Sequence, residues 1–188
     1  GVAAGLKPNI ITFTALITAA ARTSNMEAAN RWFVHADKAG AKANAVAFGA
    51  LMSGHANMGN LKAGEKLFKQ MVRSTVVPDV ISYNHLLKAC SKAKPPHAAD
   101  AERIFRNLVA SGCHPTPISV NYLSRAVGKR KCVNICISVG VNYEEVVASK
   151  FDAEHQKRKF AKLVEANKHK RELLRSDGFT KEKSRFKK

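Results

Sequence analysis

Acidic residues and long apolar runs are scarce in this sequence. Its 188 residues contain 14 Asp and Glu against 32 Lys and Arg, which gives a formal net charge of +18. Such an excess favours a polyanionic partner, and nucleic acid is the commonest one. The chain has no run of eighteen apolar residues, so we predict no membrane-spanning helix and no membrane partner.

Cysteines and carboxylates are also few, and they form no pattern typical of a metal site or an enzyme. A zinc deaminase needs His-x-Glu followed by Pro-Cys-x-x-Cys, whereas His155 is followed by Gln156 and Lys157. Glu144 and Glu145 are sequence neighbours and point to opposite sides of a helix turn, which disfavours a carboxylate metal site. We predict no metal, no cofactor, no small-molecule substrate and no enzymatic activity. The cysteines, which lack zinc-site spacing, are predicted to be reduced thiols: Cys90, Cys113, Cys132 and Cys136.

A short pattern recurs along the first two thirds of the chain. The segments PNIITFT (8–14), ANAVAFG (43–49) and PDVISYN (78–84) follow one another at 35-residue steps. The next step is 37 residues, because KPPH (94–97) lengthens one turn. A fixed period near 35 residues is the signature of a helical solenoid.

Two helices are predicted in each repeat. In the first full unit they cover 10–22 and 26–38, with Gly40 suited to the end of the second helix. No unit can bury its apolar faces alone, so stacking must supply the core. The predicted fold is all-α, a right-handed solenoid of three to four helix-turn-helix units followed by a basic helical tail. We expect small residues where paired helices approach and buried rings between pairs: Ala29, Gly64, Ala101; Phe33, Phe68 and Phe105.

The predicted organisation follows from these repeats and from a change in charge density near Gly128. Per residue, the segment after this glycine is about twice as charged as the segment before it. The predicted segments are 1–9, the end of a truncated upstream repeat; 10–44, 45–79 and 80–116, three units, the last with a two-residue insertion; 117–142, a degenerate terminal repeat that begins with a helix over 117–127; 143–176, a basic helix; and 177–188, a disordered basic tail.

The junction between units resembles that of the pentatricopeptide repeat family. Its pattern, Pro-[Asn/Asp]-x-[Ile/Val]-x-[Tyr/Phe]-[Asn/Thr], and the segment LFKQMVRSTVVPDVISYNHLL (67–87) are similar to the family consensus. Tetratricopeptide repeats are the competing interpretation, but they have a 34-residue period and a different first-helix pattern. The resemblance covers residues 1 to about 127.

The resemblance implies that the first helices of successive units line a groove for single-stranded RNA, with one base read per repeat. In this family the fifth and last residues of a unit contact the base edge, and the second residue wedges between bases. Carried onto this chain, the base-reading residues are Thr14, Asn44, Gly49, Asp79, Asn84, Thr116, Asn121 and Asn9. The base-wedging residues are Ile11, Val46, Ile81 and Ile118.

The three full units differ in how well they match the implied code. Thr14 with Asn44 resembles the adenine-preferring pair of the family. Gly49 cannot reach a base edge, so its pairing with Asp79 leans only weakly towards guanine. In the third unit Asn84 favours a pyrimidine, which the threonine at the last position blurs. Asn44 can also serve as the N-cap of the following helix, and the two roles are compatible.

The basic tail has two interpretations. It either caps the array as a solvated helix or acts as a phosphate-binding arm, because Lys and Arg clusters give sequence-independent affinity. Under the second interpretation the phosphate-binding residues are Lys157, Arg158, Lys159, Lys162, Lys168, Lys170, Arg171 and Arg175.

Two non-enzymatic functions are consistent with these features. One is a free RNA-binding factor acting in the processing, stability or translation of organellar transcripts. The other is a resident subunit of a mitochondrial or plastid ribosome or another ribonucleoprotein, where it binds ribosomal RNA or scaffolds proteins. The family resemblance places both in a mitochondrion or plastid.

Overall fold

The structure is a computed structural model that describes residues 8–149 of the chain. This part contains eight bounded helices and no strand, and residues 143–149 are also helical. The first, second and seventh helices begin and end at the predicted residues. The bounds are α1 Ile10–Arg22, α2 Met26–Lys38, α3 Ala45–Asn57, α4 Leu61–Arg73, α5 Val80–Lys92, α6 Ala98–Ala110, α7 Pro117–Val127 and α8 Lys129–Ser138.

The helices form a repeat solenoid built from consecutive pairs. The first helices of the pairs contact one another in the order α1, α3, α5 and α7, so they make one continuous layer. Each of α2, α4 and α6 contacts the first helix of its own pair and that of the next pair. The core lies between these layers, and no single pair could form it alone. Its fully buried side chains include Phe48, Leu51, Leu87, Phe105 and Leu123.

Tight turns connect the helices, both between pairs, as at Gly40, and within a pair, as at Gly59. Gly40 ends the first unit's second helix with φ +73°, a left-handed conformation that glycine adopts without strain. Gly59 has φ +69°, and a Cβ placed on it would lie 2.9 Å from the backbone nitrogen of Ala93 in the next pair. This close approach lets successive pairs pack backbone against backbone.

Two packing predictions were wrong in part. Phe33 and Phe105 are buried, whereas Phe68 is only half-buried. Its ring packs edge-on against the half-buried Tyr83, with centroids 5.0 Å apart, and both rings keep part of their surface exposed. Gly64 was predicted to lie where the two helices of its own pair approach. It is buried, but a Cβ placed on it would lie 3.1 Å from Leu86 of the next pair, so this glycine allows close packing between units.

The chain divides into two units, residues 1–146 and residues 147–188, and of the second only 147–149 are described. The first unit therefore extends four residues beyond the predicted start of the basic helix. The remainder of that helix, the tail at 177–188 and the eight predicted phosphate-binding residues lie outside the described residues. None of the helices that the structure describes is long and apolar enough to cross a membrane.

Candidate nucleic-acid interface

The last residue of each unit is the N-cap of the first helix that follows. The Asn44 Oδ1 atom accepts a hydrogen bond from the Ala47 amide at 2.9 Å, and the Asp79 Oδ1 atom accepts one from the Ser82 amide at 2.9 Å. Asn9 caps α1 and Thr116 caps α7 in the same way, at 3.0 and 3.3 Å. The capping alternative is therefore present at all four junctions. Each cap uses one side-chain oxygen atom. The Asn44 amide nitrogen and the second Asp79 oxygen form no hydrogen bond among the described residues.

The second residue of each first helix is an exposed aliphatic side chain. The exposed fractions are 73% for Ile11, 61% for Val46, 57% for Ile81 and 55% for Ile118. Single exposed aliphatic residues are ordinary on protein surfaces. Here each of them is the second residue of its helix, and the four helices contact one another in the order α1, α3, α5 and α7. We call the place of a residue counted from the start of its helix its register position. The four aliphatic side chains form an apolar row across the layer of first helices, which we call the aliphatic row.

The fifth register position holds two buried polar atoms without hydrogen-bond partners. The Thr14 Oγ1 and Asn84 Oδ1 atoms are two of three such side-chain atoms found within the described residues. The Asn84 Nδ2 atom lies 3.5 Å from the Thr116 Oγ1 atom, so the predicted reader pair of the third unit is in contact. Gly49 has open space where a side chain would stand, and Asn121 is exposed. Unpartnered buried polar atoms are rare and call for an explanation.

A groove of about 480 Å³ runs between α1 and the start of α3. It brings together four residues that sequence reasoning assigned to one site, namely Thr14, Asn44, Ile11 and Val46. Thr18 and Arg22 also line it, and the sequence analysis missed both. The signal was available, because they follow Thr14 by four and eight residues and therefore share its helix face. The groove combines apolar edges, three short polar side chains and one cation.

The equivalent face of α5 and α7 is more basic. Lys88 and Lys92 occupy the register positions of Thr18 and Arg22, and Arg125 occupies that of Lys88 one pair later. None of these three forms an ion pair within residues 8–149. Burial lowers the pKa of the neighbouring His85, and the charge of Lys88 lowers it further against the opposing effect of Asp79. This end of the layer can accept phosphates without displacing a protein carboxylate.

In the part of the chain that the structure describes, no three His, Cys, Asp or Glu side chains lie close enough together to hold a metal ion. Burial raises the pKa of the Cys90 thiol to about 12. The hydrogen bond between Cys132 and Cys136 raises the pKa of Cys132, with burial adding to the rise, and lowers the pKa of Cys136. The raised pKa values of Cys90 and Cys132 disfavour their thiolate forms.

Comparison with known proteins identifies the repeats. Residues 43–92 match the PPR repeat family, and residues 2–58 match the pentatricopeptide repeat domain. No curated protein matches the chain at a significant level.

Solved structures share the fold. The pentatricopeptide repeat protein PPR10 from maize is 23% identical with a TM-score of 0.64 over 88% of this chain. Its complex with an 18-nt psaJ RNA element is also 23% identical, with a TM-score of 0.61 over 85% of this chain. The chain spans about a quarter of the length of that protein (25%). The PPR domain of Arabidopsis thaliana protein-only RNase P 1, solved with tRNA, is 15% identical with a TM-score of 0.57, over 82% of this chain and 88% of that one.

Proposed function

We propose that this chain, which belongs to the pentatricopeptide repeat family, binds single-stranded RNA along the layer of its first helices. The observation that carries the proposal is the groove in which Thr14 and Asn44 meet between Ile11 and Val46. The fold of a maize relative solved with an 18-nt RNA element adds support.

The aliphatic row separates the bases in this proposal. Neighbouring nucleotides of a single strand can be splayed so that an aliphatic side chain stands between them. Contact with the flat base faces removes apolar surface of Ile11, Val46, Ile81 and Ile118 from water. This contact is independent of sequence, because every base has an apolar face.

Base preference comes from the atoms that the N-caps leave free. The Asn44 Oδ1 atom is held by the Ala47 amide, so the side chain offers its amide nitrogen as a donor. Adenine presents the N1 acceptor at the centre of its pairing edge, whereas guanine presents the N1–H donor there and carries its acceptor, O6, to one side. At the next unit the free oxygen of Asp79 can only accept, which suits guanine. The first unit therefore favours adenine, and the second leans only weakly towards guanine, because Gly49 supplies no side chain beside Asp79.

The third unit suits a pyrimidine. The Asn84 Nδ2 atom faces Thr116, and its Oδ1 atom is buried without a partner. This oxygen can accept a hydrogen bond from uracil N3–H or from the cytosine amino group; purine edges carry donors too, so the pyrimidine preference follows from the family resemblance at Asn84. Stacking is worth about 1–3 kcal/mol per base in single-strand binders, and association costs at least about 4 kcal/mol. Three or four such contacts therefore need help from phosphate-binding cations.

We propose that the protein acts without catalysis as a mitochondrial or plastid RNA-binding factor in transcript processing, stability or translation. A resident role in an organellar ribosome or similar particle is the second candidate. Two features favour this second candidate: Gly49 has no side chain that could read a base, and the face of α5 and α7 is basic. Both increase the share of RNA contacts that do not depend on sequence. Salt-stable co-sedimentation with large particles in organelle extract separates the two, since a free factor would remain in the light fractions.

The aliphatic row gives a direct test of groove binding. The variant Ile11→Ala, Val46→Ala, Ile81→Ala should weaken binding to a labelled single-stranded RNA pool by at least about tenfold, because each site loses apolar side-chain surface that packs against a base. The matched control Val34→Ala, Val72→Ala, Ile137→Ala removes three exposed aliphatic residues, with exposed fractions of 49%, 52% and 68%, from helices outside the first-helix layer. Equal affinity of the two variants would contradict the proposal.

A further inference from the structure

One face of α4 carries four cations that form no ion pair. Lys62, Lys66, Lys69 and Arg73 are all exposed. Successive helix residues are rotated by about 100°, so their Cα atoms lie in a strip about 60° wide and about 16 Å long. The buried residues Leu61, Gly64, Leu67 and Met71 lie on the opposite side of the helix. We call the four cations the α4 stripe.

The positive charge of the α4 stripe is not neutralised by acidic residues of the described part of the chain. Within the described residues no carboxylate lies within ion-pairing distance of any of the four. The one acid on the helix, Glu65, is held by Arg103 of α6 at 2.6 Å. Like charges spaced three or four residues apart destabilise a helix, so the stripe is a local disadvantage unless something outside the array neutralises it.

The equivalent faces of the other second helices are different. On α2 the four register positions hold Glu27, Arg31, Val34 and Lys38, and Arg31 pairs with Glu27 at 3.1 Å. On α6 they hold Ala99, Arg103, Arg106 and Ala110, and both arginines form ion pairs. Four unpaired cations are therefore a particular feature of α4, and the repeat does not require them.

We propose that the α4 stripe binds the phosphodiester backbone of double-helical RNA, on the side of the molecule turned away from the first-helix layer. A splayed single strand needs apolar side chains against which its bases can pack, whereas the exposed residues of α4 include no aromatic ring and only one aliphatic side chain, Val72. A straight row of long cationic side chains instead fits the regular phosphates of a duplex, which are contacted without reading sequence. Gln70 beside the stripe can add hydrogen bonds to phosphate or ribose oxygens.

The chain's own tail is a poor occupant for the stripe. Residues 150–188 contain 14 Lys and Arg against 6 Asp and Glu, so this segment carries the same sign of charge. The proposed duplex contact is independent of base reading in the groove. Together the two surfaces would let the protein hold a single strand on one side and a neighbouring stem on the other.

The test uses the full chain and a blunt 20-base-pair RNA duplex of mixed sequence. The variant Lys62→Gln, Lys66→Gln, Lys69→Gln, Arg73→Gln should bind this duplex at least about thirtyfold more weakly at 0.1 M salt, with the slope of log K against log salt reduced by about 3. Its affinity for single-stranded RNA should change by less than about threefold, because the groove residues are intact. Its melting temperature should be unchanged or higher, since like-charge repulsion is relieved.

A matched control removes the same charge from the same register positions on other helices. Arg31→Gln, Lys38→Gln, Arg103→Gln, Arg106→Gln should leave duplex affinity within about threefold of wild type, because these cations are paired or isolated. Equal losses in both variants would show a response to net charge alone and overturn the proposal. Unchanged duplex binding of the α4 variant, with lost binding to polyglutamate, would overturn it in favour of an acidic protein partner.

Discussion

The two ends of the first-helix layer share one feature and differ in another. The aliphatic row runs through α1, α3, α5 and α7 with little change. At the α1–α3 end three positions beside it hold the small, neutral side chains Thr14, Ala15 and Thr18, and Arg22 is the one cation that lines the groove. At the α5–α7 end the same positions hold Asn84, His85 and Lys88. In the proposed function, the first end contributes base discrimination and the second contributes affinity.

The largest effect is expected from removing the cations of the second end. Lys88→Gln, Lys92→Gln, Arg125→Gln should lower the salt slope of single-stranded RNA binding by about 2 and weaken binding about a hundredfold at 0.1 M salt. Base preference should stay the same, because phosphate contacts carry no sequence information. Fluorescence anisotropy across a salt series measures both quantities. An unchanged slope would show that the RNA phosphates bind elsewhere. The variant Arg31→Gln, Lys38→Gln, Arg106→Gln is the control for net charge.

A gain of function is expected at the gap in the second unit. Gly49→Asn places a polar side chain in open space beside the groove, so it should add base discrimination of about 1 kcal/mol at one RNA position. Gly49→Ala is the control, because it adds helix propensity without a hydrogen-bonding group. Both should stabilise α3 by a few tenths of a kcal/mol up to about 1 kcal/mol. If Asn and Ala give identical RNA preferences, register position five does not face a base.

A smaller effect concerns stability in acid. Burial lowers the pKa of His55 and is the main cause of the lowered pKa of His85. The unfolded chain therefore binds more protons than the folded one below about pH 6.5, so the free energy of unfolding should fall as the pH drops through that range. Urea midpoints at pH 7.5 and pH 5.5 measure the change. The variant His55→Gln, His85→Gln should show a weaker pH dependence, and an equal dependence would assign it to other groups.

Sequence reasoning predicted the array well where the signal was periodic. Aligned apolar columns and N-cap residues fix helix ends, so the bounds of α1, α2 and α7 were predicted to the residue. The aliphatic row was predicted from one register position, and its four members are exposed as wedging requires. Their role in RNA binding remains a prediction.

What the sequence did not reveal depends on contacts between units. Phe68 occupies a core column yet is half-buried, because burial depends on how Tyr83 of the next pair meets it. The buried, unpartnered atoms of Thr14 and Asn84 depend on three-dimensional packing and leave no trace in composition. The basic end of the layer was missed although Lys88 and Lys92 follow Thr18 and Arg22 by two regular steps of 35 residues; only Arg125 lies across the longer step.

The central claim, that the first groove reads a base, is tested most directly by selection from a randomised RNA pool. Wild type, Thr14→Asn and Asn44→Asp would be compared under the same conditions. Thr14→Asn should move preference at one position from purine towards pyrimidine. Asn44→Asp should move it from adenine towards guanine, because a carboxylate keeps the N-cap but replaces a donor with an acceptor. Each shift should be about 1–2 kcal/mol. Identical selected sequences from all three proteins would contradict base reading at this groove.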